Sequence, residues 1–207
     1  MSLTSLTTID LIRHGEPVGG RKYRGQIDDP LSEKGWAQMR NAVGNFAQWQ
    51  HIVSSPLSRC HEFALSLAQQ HAIPLSVEPE LKEAGFGAWE GRTSAEISAT
   101  DADLLFNFKR DPVTYRPAGA EAIADFYQRV SQAWDELTAI HAGQHILIVC
   151  HAGVIRMILA HILEMPPANA YRIQVGSASL SRITIEQRGT ARHTNLLFHD
   201  GRLTEHN

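Results

Sequence analysis

The chain has 207 residues, which is enough for one compact domain with a sizeable core. Its formal net charge of −3 excludes a broad basic surface for nucleic acid, so any positive field must be local. No apolar run reaches the roughly 20 residues needed to cross a bilayer. Cys60 and Cys150 cannot form a disulfide framework, and the first residues show no signal-peptide pattern, so we expect a cytoplasmic protein.

The N-terminal part of the chain alternates short apolar runs with segments of helical spacing. Residues 7–12 form the first predicted strand, which ends at a loop beginning with Arg13. A helix is predicted from Ser32, its N-cap, because apolar residues then recur at helical spacing. Further strands are predicted over 51–54 and 75–77, with a helix over 57–70 between them.

The rest of the chain continues the alternation after one irregular stretch. Residues 85–120 are predicted to be an excursion with short helices that caps the substrate site. The later predicted elements are a helix over 121–140, a strand over 145–149, a helix over 153–163, and strands over 180–186 and 193–198. This order predicts a single α/β domain over 1–207, a three-layer sandwich whose mainly parallel sheet has helices on both faces.

Three predicted strands end in polar residues that stand just before a helix. Arg13 and His14 follow the first strand, Arg59 follows the second, and His151 follows the strand over 145–149. The carboxyl ends of neighbouring parallel strands meet at one edge of a sheet, where ligands bind. Two guanidiniums and two imidazoles at one point form an anion site, and guanidinium forks suit phosphate.

Glu83 is the carboxylate predicted to act beside these cations. A carboxylate does not help to bind phosphate, but in its protonated form it can give a proton to a departing alkoxide. Glu16 and Glu90 are its rivals for this role. The N-termini of helices beginning near Leu57 and Gly153 are expected to add positive partial charge to the site.

Two residues near His151 have alternative interpretations. Cys150 stands next to His151, which suggests a Cys–His dyad. However, neighbouring side chains on a strand point to opposite faces, so we favour a buried structural cysteine. Arg156 fits either the solvated face of its helix or the site, and the sequence leaves both open.

Together, the motifs resemble those of the histidine phosphatase superfamily, in its phosphoglycerate-mutase-like branch. The signatures R-H-G, S-P-L-x-R, E-x-x-F-G-x-W-E-G and H-A-G-V-I-R stand in family order at residues 13–15, 55–59, 83–91 and 151–156. The resemblance covers nearly the whole chain. It implies that His14 is the nucleophile, that Arg13, Arg59 and His151 hold the phosphoryl group, and that Glu83 is the general acid and then the base. It also implies that neither a metal nor a cofactor is needed.

The chain departs from the family pattern near the first motif. Many relatives carry Asn where Gly20 stands, and the sequence does not decide whether Arg21, Lys22 or Arg24 replaces it. We therefore include Arg21 and Arg24 among the substrate-binding candidates, with Arg116 from the excursion. Relatives also often show a G-E-S turn before the long helix; Glu121 fits that turn, but an alanine replaces the serine.

The reaction predicted from the resemblance is hydrolysis of a small phosphate monoester. The compact chain favours hydrolysis over a phosphoglycerate-type mutase. The patterns R-H-G-E-P-x-G-G and R-G-x-x-D-D-P-L-S resemble the α-ribazole-5′-phosphate phosphatases of cobalamin nucleotide-loop assembly. The alternatives are a mutase, a fructose-2,6-bisphosphatase-like sugar phosphatase and, least favoured, a non-catalytic phospho-ligand sensor. We expect no nucleic-acid or membrane partner, and we leave a homodimer open.

Overall fold

The computed structural model of the protein describes residues 4–203. The predicted absence of a signal peptide concerns in part residues 1–3, which lie outside that range. The strands are β1 (Thr4–Arg13), β2 (His51–Ser54), β3 (Leu75–Val77), β4 (His145–Cys150), β5 (Leu180–Arg188) and β6 (Ala191–Gly201). The helices are α1 (Glu33–Val43), α2 (Ser58–His71), α3 (Ser94–Ser98), α4 (Leu104–Arg110), α5 (Ile123–Ile140) and α6 (Ala152–Ile162).

The strands form one sheet in the order β3-β2-β4-β1-β5-β6. The first four are mutually parallel, and the β5–β6 hairpin adds an antiparallel edge. Arg13 pairs with Cys150, and Ser54 pairs with Val149, so β1, β4 and β2 end level with one another. The predicted α/β class and the predicted meeting of these three strand ends are confirmed.

Each face of the sheet is covered by a layer of helices. Ile146 and Ile148 of β4 point into a core with α5 and α6, while Leu147 and Val149 point into a second core with α1 and α2. This alternation follows from the two-residue repeat of a strand, and a strand buried on both faces reads as a continuous apolar run. Within residues 4–203, no helix is both long and apolar enough to cross a bilayer.

The excursion over 85–120 has only short helices in it, as predicted. α3 and α4 carry part of a small cluster built on Trp89, Ile97, Leu105 and Phe108. The ring of Tyr171 meets the Phe108 ring at 4.6 Å between centroids. This contact joins the excursion to a 3₁₀ helix at Pro167–Arg172, an element that was not predicted.

Two glycines let the loop that follows β1 lie directly against α1. A Cβ on Gly15 would come within 2.3 Å of the Gly35 carbonyl oxygen, and one on Gly35 within 2.1 Å of the Glu16 carbonyl oxygen. Side chains at these positions would push the loop off the helix. The start of α1 is fixed by Ser32, which caps it as predicted by accepting from the Gly35 N–H.

Asp10 is a fully buried carboxylate near the middle of β1. It accepts hydrogen bonds from Trp49 Nε1 at 2.8 Å, from His145 Nε2 at 2.9 Å, and from Arg182 Nε at 2.7 Å. Burial acts to raise its pKa, but the bonds from His145 and Arg182 outweigh burial and hold the pKa below its ordinary value. A buried charge with this many donors ties β1, β4 and β5 together.

Candidate active site

His14 follows β1, and its ring is held in one orientation by its own loop. Nδ1 lies 2.7 Å from the Gly15 carbonyl oxygen. Because a carbonyl can only accept, Nδ1 carries the proton and the lone pair is on Nε2. Burial, followed by the charges of Arg13 and Arg59, holds the pKa of His14 well below the ordinary imidazole value. The ring is therefore neutral at neutral pH, with an unprotonated Nε2.

Arg13 and Arg59 each have one buried nitrogen without a partner. Arg13 donates from Nη1 to the Val175 carbonyl oxygen at 2.7 Å, and Arg59 donates to the carbonyls of Ile27 and Gly25 at 2.7 and 2.8 Å. In the part of the chain that the structure describes, the Nε atoms of both arginines are buried and lack a hydrogen-bond acceptor. Buried N–H groups normally have acceptors, so these two indicate a site for an external anion.

His151 lies beside His14 as predicted, with the two ring centroids 5.2 Å apart. Its Nε2 is 2.8 Å from the Ser55 hydroxyl, which belongs to the polar segment after β2. Burial, followed by the charges of Arg59, His14 and Arg13, lowers the pKa of His151 well below its ordinary value. The Ser55 hydroxyl can donate to Nε2 or accept from it, and when it donates, the proton of the neutral ring is on Nδ1.

Glu83 is buried, and both of its carboxylate oxygens accept main-chain hydrogen bonds. Oε1 accepts from the Ala84 N–H at 3.0 Å and Oε2 from the Gly153 N–H at 3.1 Å. Its charge acts on Arg13, where it partly offsets the burial that lowers the pKa of that guanidinium to about 10. Glu83 therefore lies close enough to the cationic group for its charge to act on Arg13.

The two rival acids have other roles. Glu16 forms an ion pair with Lys34 at 3.0 Å. Glu90 accepts from the main-chain N–H groups of Phe86 at 3.0 Å and Gln26 at 3.3 Å, so it holds two loops together.

The expectation that two helix N-termini add positive partial charge to the site stays a prediction. α2 begins at Ser58 and α6 at Ala152, close to the predicted starts. However, the Ser58 N–H donates to Asp28 at 2.7 Å and the Gly153 N–H donates to Glu83. These two donors are occupied by carboxylates because acidic side chains compete for helix N-termini, so they are not free for phosphate.

The three basic residues after the first motif have different environments. Arg24 is buried, pairs with Asp29 at 2.8 Å, donates to the Val18 carbonyl at 2.6 Å, and is near enough to contribute to the lowered pKa of His14. Arg21 and Lys22 are exposed. Arg24 therefore joins the cationic group, whereas Arg21 lies at its rim.

Arg116 is half-buried and lies on the excursion side of the site. Burial lowers its pKa, and its charged or titratable neighbours are Tyr171, Glu121 and Asp125. The structure thus places it near the turn that carries Tyr171.

The structure settles the two alternatives near His151. Cys150 is a fully buried core residue, but Cys60 lies nearer to the imidazole, with Sγ 3.6 Å from Nε2 of His151. Burial raises the pKa of Cys60, so this thiol is not an activated nucleophile. Arg156 is not on a solvated face: its Nε donates to the Ile173 carbonyl at 2.9 Å, and its guanidinium stacks on Tyr171.

Comparison with known proteins places the chain in a family. Residues 9–195 match the family model described as the histidine phosphatase superfamily, branch 1. The chain belongs to the histidine phosphatase superfamily. A bifunctional protein of Mycobacterium tuberculosis is 35% identical over 84% of this chain, but the chain spans only 49% of that protein's length, about half.

Two other relatives of this chain are similar over most of their own length. The adenosylcobalamin/alpha-ribazole phosphatase of Salmonella typhimurium is 31% identical over 84% of this chain and 89% of that protein. The structure of a mycobacterial glucosyl-3-phosphoglycerate phosphatase, in a complex with VO3, superposes with a TM-score of 0.83 at 27% identity, covering 94% of this chain and 99% of that one. The phosphoglycerate-mutase-like fold that the sequence predicted is confirmed by such neighbours.

Two side chains that contact the site residues, Ser55 and Arg129, were not among the residues predicted from the sequence. Ser55 is the first residue of the S-P-L-x-R motif, and a hydroxyl directly after a predicted strand could have signalled its bond to His151. Arg129 contacts the carbonyl of Glu83 at 3.3 Å from a distant helix. No local pattern reveals that contact, because it depends on how α5 packs against the loop.

Proposed function

We propose that this chain hydrolyses phosphate monoesters by transferring the phosphoryl group first to His14 and then to water. One observation carries the proposal: a neutral imidazole with its Nε2 lone pair free shares a buried site with two guanidiniums whose Nε atoms lack acceptors. An imidazole of this kind is a nucleophile, and unpaired guanidinium donors bind the oxygens of a phosphoryl group.

The first step forms a phosphoenzyme. Nε2 of His14 attacks phosphorus as the bond to the leaving oxygen breaks, and Glu83 gives that oxygen its proton. Arg13, Arg59 and the N–H of His151 stabilise the charge on the three remaining oxygens. In the second step Glu83 takes a proton from water, the water oxygen attacks phosphorus, and orthophosphate leaves His14 as it was.

The proposed reaction uses no metal. Its positive charge comes from Arg13, Arg59 and Arg24, which act on His14 in the same direction. Within residues 4–203, no group of three or more His, Cys, Asp or Glu side chains is arranged to hold a metal ion.

For the substrate, we propose a small phosphorylated metabolite, with α-ribazole 5′-phosphate as the leading candidate. The support is the likeness to the Salmonella adenosylcobalamin/alpha-ribazole phosphatase over 89% of that protein, together with the sequence patterns around residues 13–32. Glucosyl-3-phosphoglycerate is a second candidate, since the mycobacterial phosphatase named for it superposes over 99% of its length. The mutase alternative stays a prediction.

The test is hydrolysis of p-nitrophenyl phosphate in the presence of EDTA. We expect turnover in EDTA, and a loss of about 10³-fold or more in H14A, because removing a nucleophile removes the covalent route. H193A, which removes an exposed imidazole on β6, is the matched control and should keep the rate of the unmodified protein.

Three results would contradict the proposal: hydrolysis that survives in H14A, hydrolysis that stops in EDTA and returns with a divalent cation, or no hydrolysis of any ester. Comparing kcat/KM for α-ribazole 5′-phosphate and glucosyl-3-phosphoglycerate decides between the two substrates. Isomerisation of 3-phosphoglycerate in place of hydrolysis would favour the mutase.

A further inference from the structure

One arginine of α5 donates hydrogen bonds to the main chain of the segment that carries Glu83. Arg129 donates from Nη1 to the carbonyls of Glu80 and Lys82, the latter at 2.9 Å, and from Nη2 to the carbonyl of Glu83 at 3.3 Å. Three acceptors from a stretch of four residues thus share one guanidinium. Such a multiple contact fixes the path of the main chain, because the guanidinium is planar and rigid.

Glu121 completes this contact on the other side of Glu83. It binds Arg129 in a bidentate pair, at 2.6 Å to Nε and 2.9 Å to Nη2. It also accepts from the Gly85 N–H at 3.1 Å and donates its own N–H to the Gly85 carbonyl at 2.9 Å. The residues before and after Glu83 are therefore held by a single ion pair.

The guanidinium itself has little freedom. The ion pair is mostly buried, with side-chain exposures of 18% for Arg129 and 20% for Glu121. The carbon of the guanidinium lies 4.7 Å from the centroid of the Phe126 ring. A planar group stacked on a ring and bonded at its edges has one available orientation.

We propose that Arg129 and Glu121 are positioning residues for Glu83, the proton donor of the proposed reaction. Proton transfer to a leaving oxygen requires the carboxyl group within hydrogen-bond reach of that oxygen, and a displacement of about 1 Å is costly. The Arg129–Glu121 pair sets the main chain on both sides of Glu83, and so sets where its carboxyl group lies. This inference rests on the proposed function and extends it to the residues behind the acid.

The test separates esters by leaving group. A p-nitrophenolate departs without a proton, whereas an alkoxide needs one, so a misplaced acid penalises alkyl phosphates more. In R129M we expect kcat/KM for an alkyl phosphate to fall about 10²-fold, and for p-nitrophenyl phosphate to fall less than about fivefold. E83Q defines the full loss of kcat/KM for each ester when the acid is removed. R129K should retain part of the kcat/KM that R129M loses. R188M, which breaks the exposed Arg188–Glu186 pair, is the control and should change neither rate.

A double-mutant cycle distinguishes positioning from general support. If Arg129 acts through Glu83, adding R129M to E83Q changes the alkyl phosphate rate little further. Equal losses for both esters in R129M, or additive losses in the double variant, would overturn the proposal. If R129M fails to fold by thermal melting, E121Q is measured in the same cycle. Failure of the phosphatase proposal would show earlier, in the unmodified protein or in H14A.

Discussion

At His14, burial and the neighbouring guanidiniums act in the same direction. Both favour the neutral imidazole, and the Gly15 carbonyl, which acts the other way, does not reverse the result. The same carbonyl decides which nitrogen carries the proton. The attacking atom is therefore chosen by a main-chain contact and kept unprotonated by its surroundings.

We expect the pKa of the His14 imidazole to lie well below the ordinary histidine value of 6.5, so that the neutral form persists at lower pH. Nitrogen NMR of histidine-labelled protein measures this directly, with the His14 signals assigned by their loss in H14N. Free histidine is the reference. A midpoint for His14 at or above that of free histidine would contradict the environment described above.

The residues that sequence reasoning treated alike were separated by their contacts. Arg21, Lys22 and Arg24 are equal as charges in the sequence, but Arg24 is buried and pairs with Asp29, whereas Arg21 and Lys22 are exposed. This difference depends on how the loop folds around Asp29 and Val18, which spacing does not encode. Arg13, His14 and His151, by contrast, were predictable because they stand at the ends of recognisable strands.

At the level of elements, the site is assembled where α6 meets the Glu83 loop. α6 begins directly after β4, with His151 in the N-cap position, and its Gly153 N–H reaches the Glu83 carboxylate. A Cβ on Gly153 would lie 2.1 Å from Oε1 of Glu83. Helix and loop therefore come this close only because position 153 has no side chain.

G153A should move the carboxyl group of Glu83 while leaving the fold intact, since alanine is favoured over glycine in helices by about 1 kcal/mol. We expect kcat/KM for an alkyl phosphate to fall about 10²-fold. Kinetics with the alkyl and p-nitrophenyl esters, together with thermal melting, measure the two effects separately. Unchanged kinetics in a folded G153A would show that Glu83 does not need its observed position.

The elements themselves were largely predictable, and the exceptions share a cause. β2 and β3 have the predicted bounds. β1, β5 and β6 extend beyond theirs because antiparallel pairing, of β1 with β5 and of β5 with β6, continues past their apolar runs. The segment between α6 and β5 was not predicted. Its order comes from tertiary contacts, such as the bonds from Arg13 and Arg156 to its carbonyls.

For the whole molecule, the two buried imidazoles of the site make the free energy of unfolding depend on pH. Both His14 and His151 have lowered pKa values in the folded chain. Above about pH 6.5 they are neutral in both states and contribute nothing to the pH dependence. Below that value the unfolded chain binds protons at these positions and the folded chain does not, so the free energy of unfolding falls as pH falls. Asp10, whose folded pKa is lowered from 3.8, acts only in a more acidic range.

We expect the free energy of unfolding to fall between pH 6.5 and 5 by up to about 2.7 kcal/mol per pH unit, the limit for two protons. H14N should halve the part due to these two groups, because one of them is gone. Urea unfolding at pH 7.5, 6 and 5 measures this. The same slope in H14N and in the unmodified protein would contradict the linkage.

The position of β1 in the sheet has a consequence for synthesis. β1 is made first, yet its neighbours are β4 and β5, so the ribosome must release the chain through Arg188 before both edges of β1 can pair. At about 5–20 residues per second, residues 14–188 take roughly 10–35 s to synthesise, so β1 lacks its second neighbour for at least that long. Until then one or both edges of β1 are unpaired, and unpaired strand edges in a nascent chain favour aggregation.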